Sequence, residues 1–298
     1  MSKSDFRVTL LGTGTPAPRI DRFGPATLVE VGGQTLLFDA GRGVTMRLWQ
    51  LKIPLSRVDR LFLTHFHSDH TSGIPDLWLT GWLPPVWGSR AAPFRVTGPT
   101  GSKELMARLE QAYALDIKIR LEDEKVPLEG IRTEVSEFQS DGVVYQNNGV
   151  RVIAFEVDHG DVIKPAFGYR VEYQGRAVVL SGDTRYHPNV VKHAMGADLL
   201  IHEVGAAKPE LLEAQPELRR IFAHHTSPRE AGQVFSQTRP KLAVYTHLVL
   251  LGSQTVAPVT LDELVAETRQ TYDGRLVVGE DLMAFDIGDT VTVRRPSL

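Results

Sequence analysis

The chain has 298 residues, a formal net charge of −3 at pH 7 and no cysteine. The lack of cysteine excludes disulfide bonds and thiolate metal ligands, and the weak negative charge gives no overall attraction to nucleic acid. Hydrophobic residues make up 42% of the chain, enough for an ordinary packed core. The residues before Arg7 have no apolar signal-peptide core, and no stretch is long enough to span a membrane. We therefore expect a cytoplasmic protein without membrane contact.

Short runs of apolar and β-branched residues recur along the chain and predict β-strands. They lie at Arg7–Leu11, Thr27–Val31, Thr35–Asp39, Arg60–Thr64, Val150–Val157, Tyr169–Tyr173, Arg176–Ser181, Asp198–His202, Leu242–Thr246, Leu276–Val278 and Val291–Arg294.

Helical patterns fall between these strands, at Ser102–Tyr113, Pro228–Gln237 and Leu261–Tyr272. The last two follow capping-box sequences that begin at Ser227 and Thr260. Strands and helices alternate without a linker-like segment, which predicts one α/β domain over residues 1–298.

The segment Leu79–Pro93 contains Trp82, Trp87 and the adjacent prolines Pro84 and Pro85. Proline and glycine at this density predict irregular structure. Its tryptophans either form a lid beside a functional site or cover the core.

A histidine-rich motif follows the strand-like run at Arg60. It reads Thr-His-Phe-His-Ser-Asp-His over residues 64–70 and includes His65, His67, Asp69 and His70. Neutral imidazole and carboxylate are ligands for Zn²⁺, Mn²⁺ or Fe. Alternate residues of an extended chain point the same way, so His65 and His67 can share one ion, while Asp69 and His70 face a second.

Three further candidate ligands each lie where a predicted strand ends. His159 follows the strand from Val150, Asp183 follows the strand from Arg176, and His247 follows the strand from Leu242. Each residue alone is typical of a hydrogen-bonded turn. Their shared position favours metal binding, because loops from separate strands converge at one edge of an α/β sheet.

Together these motifs resemble the metallo-β-lactamase superfamily, in particular its branch of ribonuclease Z and zinc arylsulfatases. The resemblance also includes Leu-Gly-Thr-Gly-Thr-Pro at 11–16, Phe-Asp-Ala-Gly at 38–41 and Ala-His-His-Thr-Ser at 223–227. It implies a four-layer αββα sandwich in which helices flank two mixed β-sheets. It also implies a dinuclear hydrolase whose metal-bridging hydroxide attacks an ester.

The resemblance implies a role for each candidate residue. His65, His67 and His159 would hold one ion, Asp69, His70 and His247 the other, and Asp183 would bridge the two. Asp69 is also a candidate proton acceptor. His225 would stabilise the transition state, with Glu203 as the residue that orients it; a helix-entry role for His225 and a structural role for Glu203 stay open.

Asp39, at the end of its strand, either accepts a hydrogen bond from a ligand histidine or forms a turn. His187 and His193 are expected outside the site.

The substrate is the open question. Residues 160–182 leave no room for the long tRNA-binding arm that many ribonuclease Z enzymes carry between His159 and Asp183, and Arg42 stands where that family has an acidic residue. We therefore expect a small-molecule phosphodiester or aryl sulfate ester rather than nucleic acid. The alternatives are a ribonuclease Z-type tRNA 3′ endonuclease, a lactonase and a catalytically silent binding or scaffold protein. Two Zn²⁺ ions are the expected cofactors, with Mn²⁺ or Fe open, and a homodimer is one option.

Overall fold

Two β-sheets packed face to face form the centre of the molecule, as a computed structural model of residues 5–84 and 88–295 shows. The first sheet has eight strands in the order β15-β14-β1-β2-β3-β4-β5-β6. Their bounds are β1 Phe6–Gly12, β2 Ala26–Val31, β3 Gln34–Phe38, β4 Arg60–Phe62, β5 Phe94–Pro99, β6 Thr133–Phe138, β14 Ala284–Ile287 and β15 Val291–Arg294.

The second sheet has seven strands in the order β13-β12-β11-β10-β9-β8-β7. Their bounds are β7 Gly142–Asn147, β8 Val150–Glu156, β9 Phe167–Tyr173, β10 Arg176–Leu180, β11 Leu199–Ala206, β12 Leu242–Leu250 and β13 Leu276–Val278. Both sheets are mixed, with parallel pairing from β3 to β6 and from β10 to β13.

Helices cover the outer face of each sheet. The first half of the chain contributes α1 Val44–Gln50, α2 Ser68–Thr71, α3 Ile74–Trp82, α4 Ser102–Ala112, α5 Ala114–Glu122 and α6 Leu128–Ile131. The second half contributes α7 Pro188–Ala194, α8 Pro209–Ala214, α9 Arg219–Phe222, α10 Pro228–Thr238 and α11 Leu261–Thr268.

Three apolar clusters define four layers. On β10, Val178 lies in the cluster between the sheets, whereas its neighbour Val179 lies in the outer cluster with Phe235 of α10. On β4, Phe62 and Leu61 divide in the same way between the inner cluster and the opposite outer cluster. Successive side chains of a strand point to opposite faces, so β4 and β10 are apolar on both faces. The predicted αββα sandwich is confirmed.

The prediction of irregular structure from Leu79 is wrong for its first residues, because α3 continues to Trp82. Trp82 is fully buried, and its indole N–H donates to the carbonyl of Pro127 at 2.7 Å. Gly81 permits the helix to approach Arg90, whose guanidinium would lie 2.6 Å from a Cβ at that position. Trp82 therefore covers the core and is not part of a lid; Pro85 and Trp87 lie outside the described residues.

Several elements have no clear sequence signal, among them β5, β6, β7 and β14. Within residues 5–84 and 88–295, no helix is long and apolar enough to cross a membrane. The single domain stays a prediction.

Both predicted capping boxes are present. At α11 the Thr260 hydroxyl accepts from the Glu263 N–H at 3.2 Å, and the Glu263 carboxylate accepts from the Thr260 N–H at 2.7 Å. Thr260→Ala should lower the free energy of unfolding by about 1 kcal/mol, the usual effect of losing an N-cap. Urea unfolding measures this, with the exposed Thr290→Ala as control. Equal stability of the two variants would contradict the assignment.

Candidate metal centre

The candidate site lies at the edge where the carboxyl ends of the parallel strands meet. Loops after β3, β4, β8 and β10 reach it, and β11 and β12 pass beside it. The structure brings together all of the predicted site residues, namely His65, His67, Asp69, His70, His159, Asp183, Glu203, His225 and His247.

Asp183 is at the centre of this group. Its Oδ2 atom lies 3.2 Å from Nε2 of His70 and 3.2 Å from Nε2 of His247. The same oxygen lies 3.7 Å from Nε2 of His159 and 3.9 Å from Nε2 of His65. One carboxylate oxygen thus faces four imidazole nitrogens that arrive from both sheets.

The candidate ligands form four overlapping groups; two of them include His225, and the other two contain the seven predicted metal ligands. In each group the potential ligand atoms lie within 4.8 Å of one another. Of the latter two groups, the first holds His65, His67, His159 and Asp183, and the second holds Asp69, His70 and His247. In the second group, Nε2 of His247 lies 3.2 Å from Oδ2 of Asp69. The membership of these two groups is the same as the division that the sequence resemblance implies for two ions.

Hydrogen bonds at Nδ1 leave Nε2 of His65 and His70 free to bind a metal ion. His70 Nδ1 donates to Asp39 Oδ2 at 2.7 Å, and His159 Nδ1 donates to the His224 carbonyl at 3.0 Å. The Nε2 atoms of His65 and His70 are buried and have no hydrogen-bond partner among the described residues. A buried nitrogen without a partner is costly unless another group, such as a metal ion, binds it. The donor set fits divalent ions.

Thr64 extends this arrangement to His65. The Thr64 hydroxyl donates to Asp39 Oδ2 at 2.8 Å and lies 2.9 Å from His65 Nδ1. Its oxygen can therefore accept a hydrogen bond from the Nδ1–H group of His65. Asp39 therefore orients two candidate ligands, one directly and one through Thr64. It adopts a left-handed backbone conformation with φ of 58°. The motif contains Thr64, but its role depends on β3 lying beside β4.

Burial and neighbouring charges shift the pKa values of His65, His70 and Asp183. Burial lowers the pKa of His65 well below its ordinary value, which favours the neutral, metal-binding imidazole. Burial opposes protonation of His70, but Asp183 and Asp39 outweigh it and raise its pKa well above the usual range. Asp183 is buried as well, yet His247 and His70 hold its pKa well below normal. The carboxylates thus stabilise positive charge between them.

His225 and Glu203 form a hydrogen-bonded pair beside Asp183. His225 Nδ1 donates to Glu203 Oε2 at 3.1 Å, and the other Glu203 oxygen accepts from the Thr226 N–H at 2.8 Å and the Thr184 N–H at 3.3 Å. Burial works against protonation of His225, but the Glu203 carboxylate raises its pKa overall. The role of the two threonines could not be inferred from sequence, since both act through backbone N–H groups.

A bulge directs His247 into the site. Glu203 pairs with Thr246 and Val204 pairs with Leu248, so His247 is the extra residue on β12. Its φ of 44° is rare for a residue with a side chain. A bulge changes the direction in which a strand side chain points. No sequence signal marks this bulge.

The remaining histidines lie outside the centre or at its margin. His202 packs with its ring centroid 5.8 Å from that of Phe235, on the face of β11 opposite Glu203. His187 caps α7, and the ring of His193 stacks on Phe155. His224 borders the rings of His159 and His225, and burial lowers its pKa to about 4.

Comparison with known proteins identifies the family. A family model described as a β-lactamase superfamily domain matches residues 34–248, which include every candidate site residue. The chain is 34% identical over 279 residues to a ribonuclease Z of Mycolicibacterium gilvum, covering 93% of this chain and 94% of the relative.

Solved structures show the same fold. The metallo-β-lactamase fold protein YhfI of Bacillus subtilis aligns with a TM-score of 0.71 at 20% identity, covering 95% of this chain and 99% of that protein. The short form of human tRNase Z aligns with a TM-score of 0.69 at 24% identity, covering 93% of this chain and 98% of that protein.

These relatives correct the substrate expected from the sequence. The preference for a small-molecule ester over nucleic acid is wrong, because proteins matching nearly the full length of this chain are named ribonuclease Z. The lack of a long arm between His159 and Asp183 does not exclude this family, because a relative of about the same length as this chain is named ribonuclease Z. The chain belongs to the metallo-β-lactamase superfamily, in its ribonuclease Z branch.

Proposed function

We propose that this protein is a ribonuclease Z-type endonuclease that hydrolyses a phosphodiester bond at the 3′ side of precursor tRNA. The observation that carries the proposal is the cluster around Asp183, where histidines of both sheets direct ring nitrogens at one carboxylate. The names of the full-length relatives supply the substrate class.

A direct assay tests the proposal. Purified protein with measured metal content is incubated with a precursor tRNA that carries a 3′ trailer, and the products are separated by gel electrophoresis. We expect one cut that releases the trailer, and removal of metal by a chelator should stop it. Intact precursor after incubation with metal-loaded protein would overturn the proposal.

The metal ligands form two sets in this proposal. His65, His67 and His159 would hold one divalent ion, Asp69, His70 and His247 would hold the other, and Asp183 would be available to both. When bound, the ions lower the pKa of water and stabilise negative charge on a phosphoryl group. Zn²⁺, Mn²⁺ and Fe all suit imidazole and carboxylate ligands.

The chain's own groups then act on the proton and on the developing charge. Asp69 is held as a carboxylate: burial opposes this, but its hydrogen bond to His247 lowers its pKa. It is therefore available to accept a proton from the attacking water. His225 is held by Glu203 with its Nε2 edge away from that pair, where a protonated ring stabilises charge on the phosphoryl oxygen or leaving group.

Asp183→Ala should abolish cleavage and reduce bound metal, because it removes the oxygen that faces four imidazoles. Elemental analysis and the precursor-tRNA assay measure the two effects. Asp289→Ala, at a fully exposed aspartate, is the matched control and should behave as wild type. Full turnover by Asp183→Ala would rule out the assigned centre.

His225→Ala should keep both ions yet lower the cleavage rate by about 10²-fold, the usual effect of losing one group that stabilises transition-state charge. The control is His187→Ala, which removes an imidazole from the start of α7. Single-turnover rates together with metal content distinguish the roles. Loss of metal in His225→Ala would instead make His225 a ligand.

Glu203→Gln tests the orienting role of the carboxylate. Glutamine can still accept from the backbone N–H groups of Thr226 and Thr184, but it presents an N–H group to His225 Nδ1 and cannot balance a positive imidazole. We expect an unchanged metal content and a rate about tenfold or more below wild type. Glu210→Gln on α8 is the control, and equal rates for the two variants would contradict the orienting role.

A further inference from the structure

A short basic helix leads directly into the candidate active site. Helix α9 contains Arg219 and Arg220 and is followed at once by His224 and His225. The Ala223 N–H bonds to the Arg219 carbonyl at 3.0 Å, so the chain continues its helical turn towards the site. Two further turn hydrogen bonds, from the His224 N–H to the Ile221 carbonyl and from the His225 N–H to the Phe222 carbonyl, both at 3.4 Å, connect the end of the helix to the site.

Both arginines are exposed, and neither has an ion-pair partner within the described part of the chain. Some other exposed arginines have one, whereas others, such as Arg57 and Arg229, have none among the described residues. The paired examples are Arg19 with Asp21, Arg108 with Glu104, Arg132 with Glu129, Arg151 with Glu172, Arg239 with Asp273 and Arg294 with Asp286. What distinguishes Arg219 and Arg220 is their place on the segment that leads directly into His225.

The helix that carries them is firmly seated. A Cβ added to Gly205 of β11 would lie 3.3 Å from Phe222 and 3.0 Å from the His225 Cβ. The Gly205 N–H also donates to the Thr226 carbonyl at 2.9 Å. Ile221 and Phe222 are half-buried, so the apolar half of α9 anchors the helix while its charged half stays free. Packing of this kind holds binding groups at a fixed distance from a site.

We propose that Arg219 and Arg220 bind backbone phosphates of the substrate RNA next to the bond that is cut. This inference rests on the proposed ribonuclease function. Guanidinium groups form paired hydrogen bonds with phosphate oxygens, and cations that neutralise phosphates supply much of the affinity for RNA. These contacts position the strand and do not read its sequence. They give this chain a phosphate-binding surface that does not depend on an arm between His159 and Asp183.

The test compares the double charge reversal Arg219→Glu/Arg220→Glu with the matched reversal Lys52→Glu/Arg57→Glu. Lys52 and Arg57 are exposed, have no ion-pair partner among the described residues and precede β4, at the end of that strand opposite the centre. The two variants change the net charge equally. The assays are kcat/KM on precursor tRNA, its Kd by filter binding, and the salt dependence of both.

We expect the α9 reversal to weaken binding and kcat/KM by about tenfold or more and to reduce the slope of log Kd against log salt by roughly 1.4, about 0.7 for each lost phosphate contact. The Lys52/Arg57 control should stay within about twofold of wild type. Arg219→Lys/Arg220→Lys, which keeps both charges, should recover most of the affinity. Metal content and the thermal unfolding midpoint should not change.

Equal losses in the α9 and control variants would overturn the inference, since the effect would then follow net charge. An unchanged salt slope in the α9 variant would also overturn it. If the glutamate pair unfolds the protein, Arg219→Gln/Arg220→Gln is compared with Lys52→Gln/Arg57→Gln under the same criteria. Wild-type protein that neither binds nor cuts precursor tRNA would refute the proposed function itself, a result distinct from active wild type with an α9 variant that matches the control.

Discussion

The hydrogen bonds accepted by Asp39 are the constraint on which the centre depends. This buried carboxylate ends β3 and accepts from the Thr64 N–H, the Thr64 hydroxyl and His70 Nδ1 at 2.7–2.9 Å. A buried carboxylate is costly unless its oxygens accept hydrogen bonds, so these three bonds compensate the burial of Asp39. Because β3 and β4 are parallel neighbours, these hydrogen bonds connect the carboxyl ends of the two strands. They also orient His70 and His65 so that Nε2 of each ring faces Asp183.

The second sheet supplies the other ligands of the centre, so the two sheets must be held in a fixed alignment. Tyr169 of β9 provides one link, since its hydroxyl donates to the carbonyl of Leu63 at 2.5 Å. Its ring also packs edge-on against Phe38 and Phe62 of the first sheet, with centroids 5.2 and 5.7 Å away. Leu63 directly precedes the metal motif. The aromatic core therefore sets the distance between ligands that different sheets supply.

Site residues and helix starts could be predicted from the sequence where a characteristic residue type lies at the end of a strand or the start of a helix. The 64–70 motif, Asp183 after β10 and the helix starts at Ser227 and Thr260 all combine residue type with an element boundary, and such signals are local. The bulge at His247 and the contact of Thr64 with Asp39 depend on which strands are neighbours. Trp82 shows the opposite error: glycine and proline nearby suggested a loop, but burial of the indole outweighs the low helix propensity of one glycine.

The net charge of the chain is not sufficient evidence against a nucleic-acid substrate. The value of −3 averages over a surface on which many arginines are neutralised by adjacent carboxylates. Such pairs cancel beyond a Debye length of about 8 Å and neither attract nor repel a distant polyanion. Binding of RNA depends instead on the cations left uncompensated near the reacting bond. Arg219 and Arg220 have no ion-pair partner among the described residues and lie six and five residues before His225, which makes them candidates for this role whatever the sum of charges over the whole chain.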